Sequence, residues 1–385
     1  MPSSTPVPEK LTDSRFCVTK PARGGSPTLS QESSPCRQPF SHLLGKPAHT
    51  EHPPRGGRVS CGAIRAVRTG LIAAILSTNA LAQPDPSGID FVTIGAPGNP
   101  AYAGPDNNNL VTGRGSVPYE FRIGRTEVTT AQWVEFYNAF YGRVPSINLP
   151  ARWGAYQTGN PQSPFGVVSA PGADMWPVSG VTWRTSAMFC NWLHNDKRTD
   201  LSAIQDGAYD ISTFGYTGTN GNIFTDQREH HPGARYWIPT VDEWLKGVYY
   251  DPNHGGTGIG GWWWNSVNGS NTPLIYGPPG QGQANAGFQP DDNSHYRIPL
   301  MAYTGVKSPW GMMDAAGGTS EWLESVYQPT AVPYRFVAGS HWGSTWRIGD
   351  PIYSLGATFP SDVSLNFGFR IAAAVPSSGP FAVMM

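Results

Sequence analysis

Glycine and proline interrupt this chain too often for long regular elements to form. Of its 385 residues, 46 are Gly and 37 are Pro, the two residues that weaken helix and strand interiors alike. Only 14% are charged, while 14 are Trp, 16 Tyr and 16 Phe. That combination excludes a coiled coil or helical bundle, which needs sustained periodicity in charged helix formers. It points to a loop-rich globular protein with short elements around an aromatic core. The 26 Lys+Arg and 27 Asp+Glu nearly cancel, but they are unevenly placed. Residues 1–82 hold 10 basic and 4 acidic residues, leaving 16 basic and 23 acidic in residues 83–385, a net charge of −7. An acidic body without a basic stripe is not built to neutralise phosphates, so nucleic acid is not an expected partner. Cys17, Cys36 and Cys61 all lie early, which leaves Cys190 alone in the body. No internal disulfide is expected there, and Cys190, in an apolar helical pattern, reads as a small buried hydrophobe.

A leader precedes the body. Residues 1–58 are rich in Pro, Ser, Gly and Arg without an apolar period, and are expected to be disordered. Residues 59–82 have the layout of a secretory signal: Arg65 and Arg68, the apolar run Gly70–Leu76, then Ala80-Leu81-Ala82 before Gln83. The run is too short to span a membrane, and no other segment of the sequence is a transmembrane anchor. Export to the periplasm or the extracellular space is expected, with cleavage near Ala82. A signal normally opens a chain, so translation is expected to start near Val59, residues 1–58 being an over-extended start.

In the body, Ile89–Gly95 alternates as a strand, residues 96–117 read as loop, and Tyr119–Val128 is again strand-like. Thr129 or Thr130 caps a helix carrying Trp133, Phe136, Tyr137 and Phe140 at helical spacing. Gly/Pro-rich residues 142–176 follow. A second helix runs from Trp183 through Leu193, and a third covers Val241–Tyr249. Asp206-Gly207, between apolar residues of 203–214, is a hairpin candidate. From Asp251 onward the pattern is loop and short strand. Thr240 and Glu243 have the spacing of a capping box.

Four blocks occur in a telling order. They are Ile123-Gly124-Arg125-Thr126-Glu127-Val128-Thr129-Thr130-Ala131-Gln132-Trp133, Pro177-Val178-Ser179-Gly180-Val181-Thr182-Trp183, Trp237-Ile238-Pro239-Thr240-Val241-Asp242-Glu243-Trp244, and Gly311 to Trp322. Asn366-Phe367-Gly368-Phe369-Arg370 closes the series. Together they resemble the sulfatase-modifying-factor (formylglycine-generating enzyme) domain family over residues 88–375, with 376–385 as a short tail. The resemblance implies an α+β fold: one C-type-lectin-like domain, loop-rich, with short strands and few helices.

The resemblance also implies metals. Asp314, Gly317, Thr319 and Glu321 follow a family calcium loop, with side-chain oxygens at the ends and carbonyls between. Hard oxygens on a flexible loop suit calcium. A second, looser calcium loop falls on Asn285, Ala286, Asp292 and Ser294, near Asn293. The bland alternative is that these acidic residues only cap and solvate loops. Family members that oxidise cysteine carry a C-x4-C pair for copper after a Gly-Gly-Ser-aromatic run. Here the run is Ala338-Gly339-Ser340-His341-Trp342, and the cysteine positions fall on Gly343 and Ile348. Neither can supply a thiolate, so copper and formylglycine chemistry are not expected. His230, His231, His254, His295 and His341 are scattered without a ligand spacing. Pocket candidates are His341, Trp342, Ser344, Trp346 and Arg370, none of them a firm catalyst. Gln289-Pro290-Asp291 matches a galactose-selecting tripeptide of true C-type lectins, but without its companion motif. Trp262-Trp263-Trp264 could stack on sugars, and packing is the simpler reading.

The expected function is an exported, calcium-stabilised binding or structural module without formylglycine-generating activity. Its partner would be a protein, peptide or glycan, and the protein a monomer. The alternatives are an oxidoreductase of the same family acting through an unrecognised pocket, or a carbohydrate-binding protein. N-terminal sequencing of the exported protein is expected to begin near Gln83. A retained Met1 would refute the leader.

Overall fold

The computed structural model describes residues 85–286, 295–344 and 350–376. The leader readings over 1–82, and the residues Gln289 to Ser294, Trp346 and Ile348, lie outside the described residues. Two short strands open the domain, β1 (Phe91–Ile94) and β2 (Phe121–Gly124), followed by α1 (Thr130–Phe140). A hairpin of β3 (Ala155–Asn160) and β4 (Ser163–Val167) leads to α2 (Trp183–His194) and α3 (Ser202–Gln205). Next come β5 (Tyr216–Thr217), β6 (Ile223–Phe224), β7 (Tyr236–Trp237), α4 (Val241–Tyr249), β8 (Tyr250–Asp251) and β9 (Gly261–Trp262). The chain closes with β10 (Ser320–Tyr327), β11 (Tyr334–Ala338), β12 (Leu355–Thr358), β13 (Phe367–Gly368) and β14 (Ala372–Ala374). The fold is mixed α+β.

Two four-stranded sheets organise these pieces, in the orders β1-β2-β14-β7 and β12-β11-β10-β13. In the first, β14 near the C-terminus lies antiparallel to β2 near the N-terminus, pairing Ala372 with Ile123. Arg122 sits where the two ends meet. Its Nη1 donates to Asp85 at 2.6 Å, its Nε donates to the Ala374 carbonyl at 2.9 Å, and the guanidinium lies 4.7 Å from the Phe91 ring. In the second sheet β13 runs parallel to β10, pairing Gly368 with Glu321. A side chain at 368 has no room, because its Cβ would come 2.3 Å from Thr319 Oγ1.

The helices start where the sequence caps them. The Thr129 side chain accepts from the Gln132 N–H, while Gln132 answers the Thr129 N–H. Thr240 and Glu243 make the same reciprocal pair at α4, which satisfies two otherwise orphaned donors at each helix start. Between helices and sheets lies the aromatic core. Phe189, fully buried, packs Trp133 at 5.6 Å, Phe136 at 5.3 Å, Trp192 at 5.5 Å and Phe369 at 5.5 Å between ring centres. Cys190 is buried beside it as a free thiol.

Two segments depart from the sequence reading. Residues 203–214 are not a hairpin. They form α3 and a single 3₁₀ turn at Ile211–Thr213. The reason is Asn191 on α2, which donates to the carbonyls of Ile204 at 3.0 Å and Tyr209 at 2.6 Å and accepts from the Tyr209 N–H at 2.8 Å. Asn195 donates to Ala203 and Asp206 carbonyls. These two amides take the backbone groups that a strand ladder would have paired. Conversely, Gly/Pro-rich 142–176 holds the β3–β4 hairpin. Its strands lack apolar alternation, and the Asn138 amide anchors it by bonding both backbone groups of Phe165 at 2.9 Å.

Replacing Phe189 with Ala opens a cavity at the centre of this cluster. The expected cost is about 3–5 kcal/mol, read from the midpoint of chemical denaturation. A loss below about 1 kcal/mol would mean that the aromatic cluster is not the core's organising contact.

Candidate functional site

The closing block Phe369-Arg370 puts a guanidinium into the core between β13 and β14. Arg370 is 0% exposed and Glu321 1%. They form a bidentate pair, Nε to Oε2 at 2.5 Å and Nη2 to Oε1 at 2.6 Å. Arg370 also donates to the carbonyls of Gly124 at 2.9 Å and Met313 at 3.2 Å, and Trp244 Nε1 donates to Glu321 at 2.9 Å. Arg370 is therefore not a pocket residue, contrary to the sequence reading. Its donors are spent on the core, and no surface of it is left for a ligand.

Two more carboxyls crowd this pair. Glu127, 1% exposed, accepts the Thr319 N–H at 2.7 Å with Oε1, while its Oε2 has no hydrogen-bond partner. Burial first, then the negative charge of Glu321, holds Glu127 well above the ordinary carboxyl range. Asp314 accepts the Met301 N–H at 2.7 Å, and burial pushes its carboxyl up to about 6. Gly318, at φ +55°, must stay bare, because a Cβ would meet both Glu127 oxygens at 2.7 Å.

This is the loop on which the sequence places calcium. The donor chemistry suits the ion: hard oxygens, three carboxyls facing one guanidinium, and unpartnered Glu127 Oε2 and Thr319 Oγ1. The arrangement, however, gives both Glu321 oxygens to Arg370. Gly317 N–H donates to Ser340 Oγ at 2.9 Å. Among the described residues no group of three His, Cys, Asp or Glu side chains is placed to hold a metal ion. Of the second loop, Asn285 uses its oxygen on the Gly318 N–H at 2.8 Å and its amide on the His295 carbonyl at 3.0 Å, and Ala286 is fully buried. Asp292 and Ser294 lie outside the described residues.

The 338–344 loop lies against the Gly317–Ser320 segment. Trp342 N–H donates to the Gly318 carbonyl at 2.9 Å, and Ser320 Oγ donates to the Gly339 carbonyl at 2.9 Å. Asp350 holds Ser340 through its N–H at 2.8 Å and its hydroxyl at 2.5 Å. His341 and Ser344 form a tight turn, with His341 N–H donating to Ser344 Oγ at 2.9 Å. His341, Trp342 and Ser344 are thus brought together, apart from Arg370.

Residues that the sequence did not point to complete the site. Tyr296 lies 6.2 Å from Trp342 and 6.0 Å from Trp176, ring centre to ring centre. Arg152 stands 5.5 Å from the Tyr296 ring and Arg297 5.3 Å from it. Arg152 Nε, Trp176 Nε1, Trp342 Nε1 and the Asn366 side-chain oxygen are buried without a hydrogen-bond partner. The amide of Asn366 faces His341 Nε2 at 3.4 Å, while His341 Nδ1 accepts from the Gly343 N–H at 3.1 Å. A neutral imidazole accepting at Nδ1 carries its proton on Nε2. The unpartnered groups are three donors and one acceptor. Nothing in local sequence announces these residues, because Arg152, Trp176, Tyr296 and Asn366 meet only through tertiary packing.

The other lures resolve into packing. Trp262 meets Tyr102 at 5.7 Å and Tyr250 at 5.2 Å, and Trp263 lies 4.1 Å from the His254 ring and donates to Asp251 at 3.2 Å. Trp264 packs on the core. His230 turns to Glu324 and His231 to Asp206 at 3.6 Å.

Arg370→Met leaves Glu321 buried without its counter-charge. The expected loss is about 3–5 kcal/mol, and adding Glu321→Met should restore much of it. Urea denaturation of the single and double variants measures this. Additive losses would show that the two residues do not act as a pair.

The sequence profile described as the sulfatase-modifying factor enzyme 1-like domain matches residues 81–375. No curated protein matches the sequence. Among solved structures the fold is similar to that of CarF, at 18% identity over 74% of this chain and 98% of that chain, TM-score 0.47. It is similar to Treponema denticola variable protein 1, at 18% identity over 74% and 95%, TM-score 0.42. It is also similar to PvdO from Pseudomonas aeruginosa, at 15% identity over 74% and 92%, TM-score 0.40. With the blocks, the fold and a match spanning most of its length in agreement, the chain belongs to the sulfatase-modifying factor enzyme 1-like domain family.

Proposed function

We propose that this protein is an exported binding module that uses the family scaffold without the family's thiol chemistry. The observation that carries the reading is the set of unpartnered buried polar groups around Tyr296: Arg152 Nε, Trp176 Nε1, Trp342 Nε1 and the Asn366 side-chain oxygen. A buried donor without a partner costs about 1–3 kcal/mol. A ligand that brings acceptor oxygens together with a donor to such a site, a peptide or a glycan, recovers that cost and is bound by it. Aromatic walls and a few fixed polar groups are what small-ligand sites offer.

Gly343 and Ile348 stand where copper-binding cysteines would be. Cys190 cannot replace them, since it is fully buried and burial holds its thiol well above the usual range. Incubated with a sulfatase-type cysteine peptide, copper and oxygen, the mature protein is expected to leave the cysteine unchanged by mass spectrometry. Conversion of the peptide would reinstate an oxidoreductase and refute the proposal.

Calcium belongs to the proposal as a stabiliser. Buried Glu127 and Glu321, with half-buried Asp314 beside them, offer more carboxyl groups than Arg370 offsets, and a divalent cation is one way to balance them. A ligand that binds only the folded state adds about 2.7 kcal/mol at a hundredfold excess over its Kd. Chelation is therefore expected to lower the Tm of the mature protein, and re-addition of calcium to restore it. An unchanged Tm would assign the balance to Arg370 and a protonated Glu127 alone.

A further inference from the structure

Away from the Tyr296 site, a cavity of about 620 Å³ is lined by Tyr119, Arg228, Glu229, His230, Asp242 and Glu324, among others. That volume is within the ordinary range for small-molecule sites. At its wall His230 is held on two sides. Its Nδ1 lies 3.0 and 3.1 Å from the two Glu324 oxygens, and its ring stacks on Trp237 at 4.4 Å with 13° between planes. Glu324, 1% exposed, also accepts from the Tyr209 hydroxyl at 2.7 Å and from the His230 N–H at 2.7 Å. A carboxylate with those donors fixes Nδ1 as protonated and leaves Nε2 as the group turned to a ligand. Nε2 makes no hydrogen bond among the described residues. The mounting is stiff: buried Arg335 donates to the carbonyls of Gln227, Arg228 and Glu324, and its guanidinium sits 3.8 Å from the Trp183 ring centre.

The charges around this imidazole select the ligand. Glu229, Asp242 and Glu324 repel an anion, while Arg228, and His230 whenever it is charged, oppose a cation. A neutral molecule that both donates and accepts hydrogen bonds meets no such penalty. Asp242 commits one oxygen to the Gly115 N–H at 2.6 Å, and the other makes no hydrogen bond among the described residues. Tyr119 contributes a ring rather than a hydroxyl. It is 44% exposed, and its Oη is spent on Glu243 at 3.1 Å. An exposed aromatic face beside fixed donors and acceptors matches a sugar ring, which has hydroxyls at its edge and an apolar face.

We infer that this cavity binds a neutral saccharide, with His230 Nε2 and Asp242 hydrogen-bonding its hydroxyls and the Tyr119 ring covering its apolar face. The inference is independent of the Tyr296 site and uses none of its residues.

The mature protein is tested by titration calorimetry and on an array of neutral mono- and disaccharides built from glucose, galactose, mannose and N-acetylglucosamine. Glucuronate and glucosamine are the charged controls. At least one neutral sugar is expected to bind. His230→Ala and Asp242→Asn should each weaken it about tenfold, the equivalent of ~1.4 kcal/mol. Tyr119→Ala should weaken it too, and because Tyr119 also donates to buried Glu243 and packs edge-on to Phe121, the variant's far-UV and near-UV circular dichroism must first match the parent's. Trp342→Ala should leave it unchanged. The inference is overturned if no neutral sugar binds, if either charged control binds more tightly, or if sugar binding is insensitive to Tyr119→Ala and Asp242→Asn in folded variants. Loss with Trp342→Ala alone would move the sugar to the Tyr296 site and overturn it as well.

Discussion

The buried pair of Arg370 and Glu321 is the contact on which the other parts depend. Its guanidinium reaches Glu321 on β10, the Gly124 carbonyl at the end of β2 and the Met313 carbonyl in the loop before β10. One side chain thus ties the first sheet to the second and fixes the loop against which residues 338–344 fold. Isolated, each charge would be prohibitively costly in the core. Paired in bidentate geometry, they hold the two sheets in a single arrangement. The bare glycines at 318 and 368 follow from the same crowding: Glu127 fills the space over one and Thr319 the space over the other.

Much of the fold was legible because local chemistry dictated it. The two capping boxes, Thr129 with Gln132 and Thr240 with Glu243, mark helix starts in a few residues each. Helical spacing of Trp133, Phe136, Tyr137 and Phe140 gives the buried face of α1. The hairpin expectation at Asp206-Gly207 failed because the competing partners lay on α2, in Asn191 and Asn195, outside any local window. The β3–β4 hairpin escaped notice because its strands are mostly exposed and carry no alternating pattern.

The site was less legible than the fold. The family resemblance singled out Asp314 and Glu321 as calcium ligands and Arg370, separately, as a pocket residue; the structure pairs Arg370 with Glu321. The resemblance could not tell that Arg370 would clasp Glu321 from within rather than line a pocket. Glu127 sat inside a strand-like block, and only tertiary structure shows it as the third carboxyl of the cluster. Arg152, Trp176, Tyr296 and Asn366 are separated by long stretches of chain, as are Tyr119, His230, Asp242 and Glu324. Such constellations have no local signature. They arise where loops of a domain poor in regular structure are brought to the same place by a rigid core.

Arg122 carries an implication for the domain's outline. Because it bonds Asp85 with one nitrogen and the Ala374 carbonyl with another, the first and last described segments lie side by side at one sheet. A domain whose two ends leave together is a pendant. It can be inserted into a host loop, joined end to end by a short linker, or cut open elsewhere on its surface without rerouting the chain through the core. Tension applied between its ends would fall on the β1–β2 and β2–β14 ladders of that one sheet.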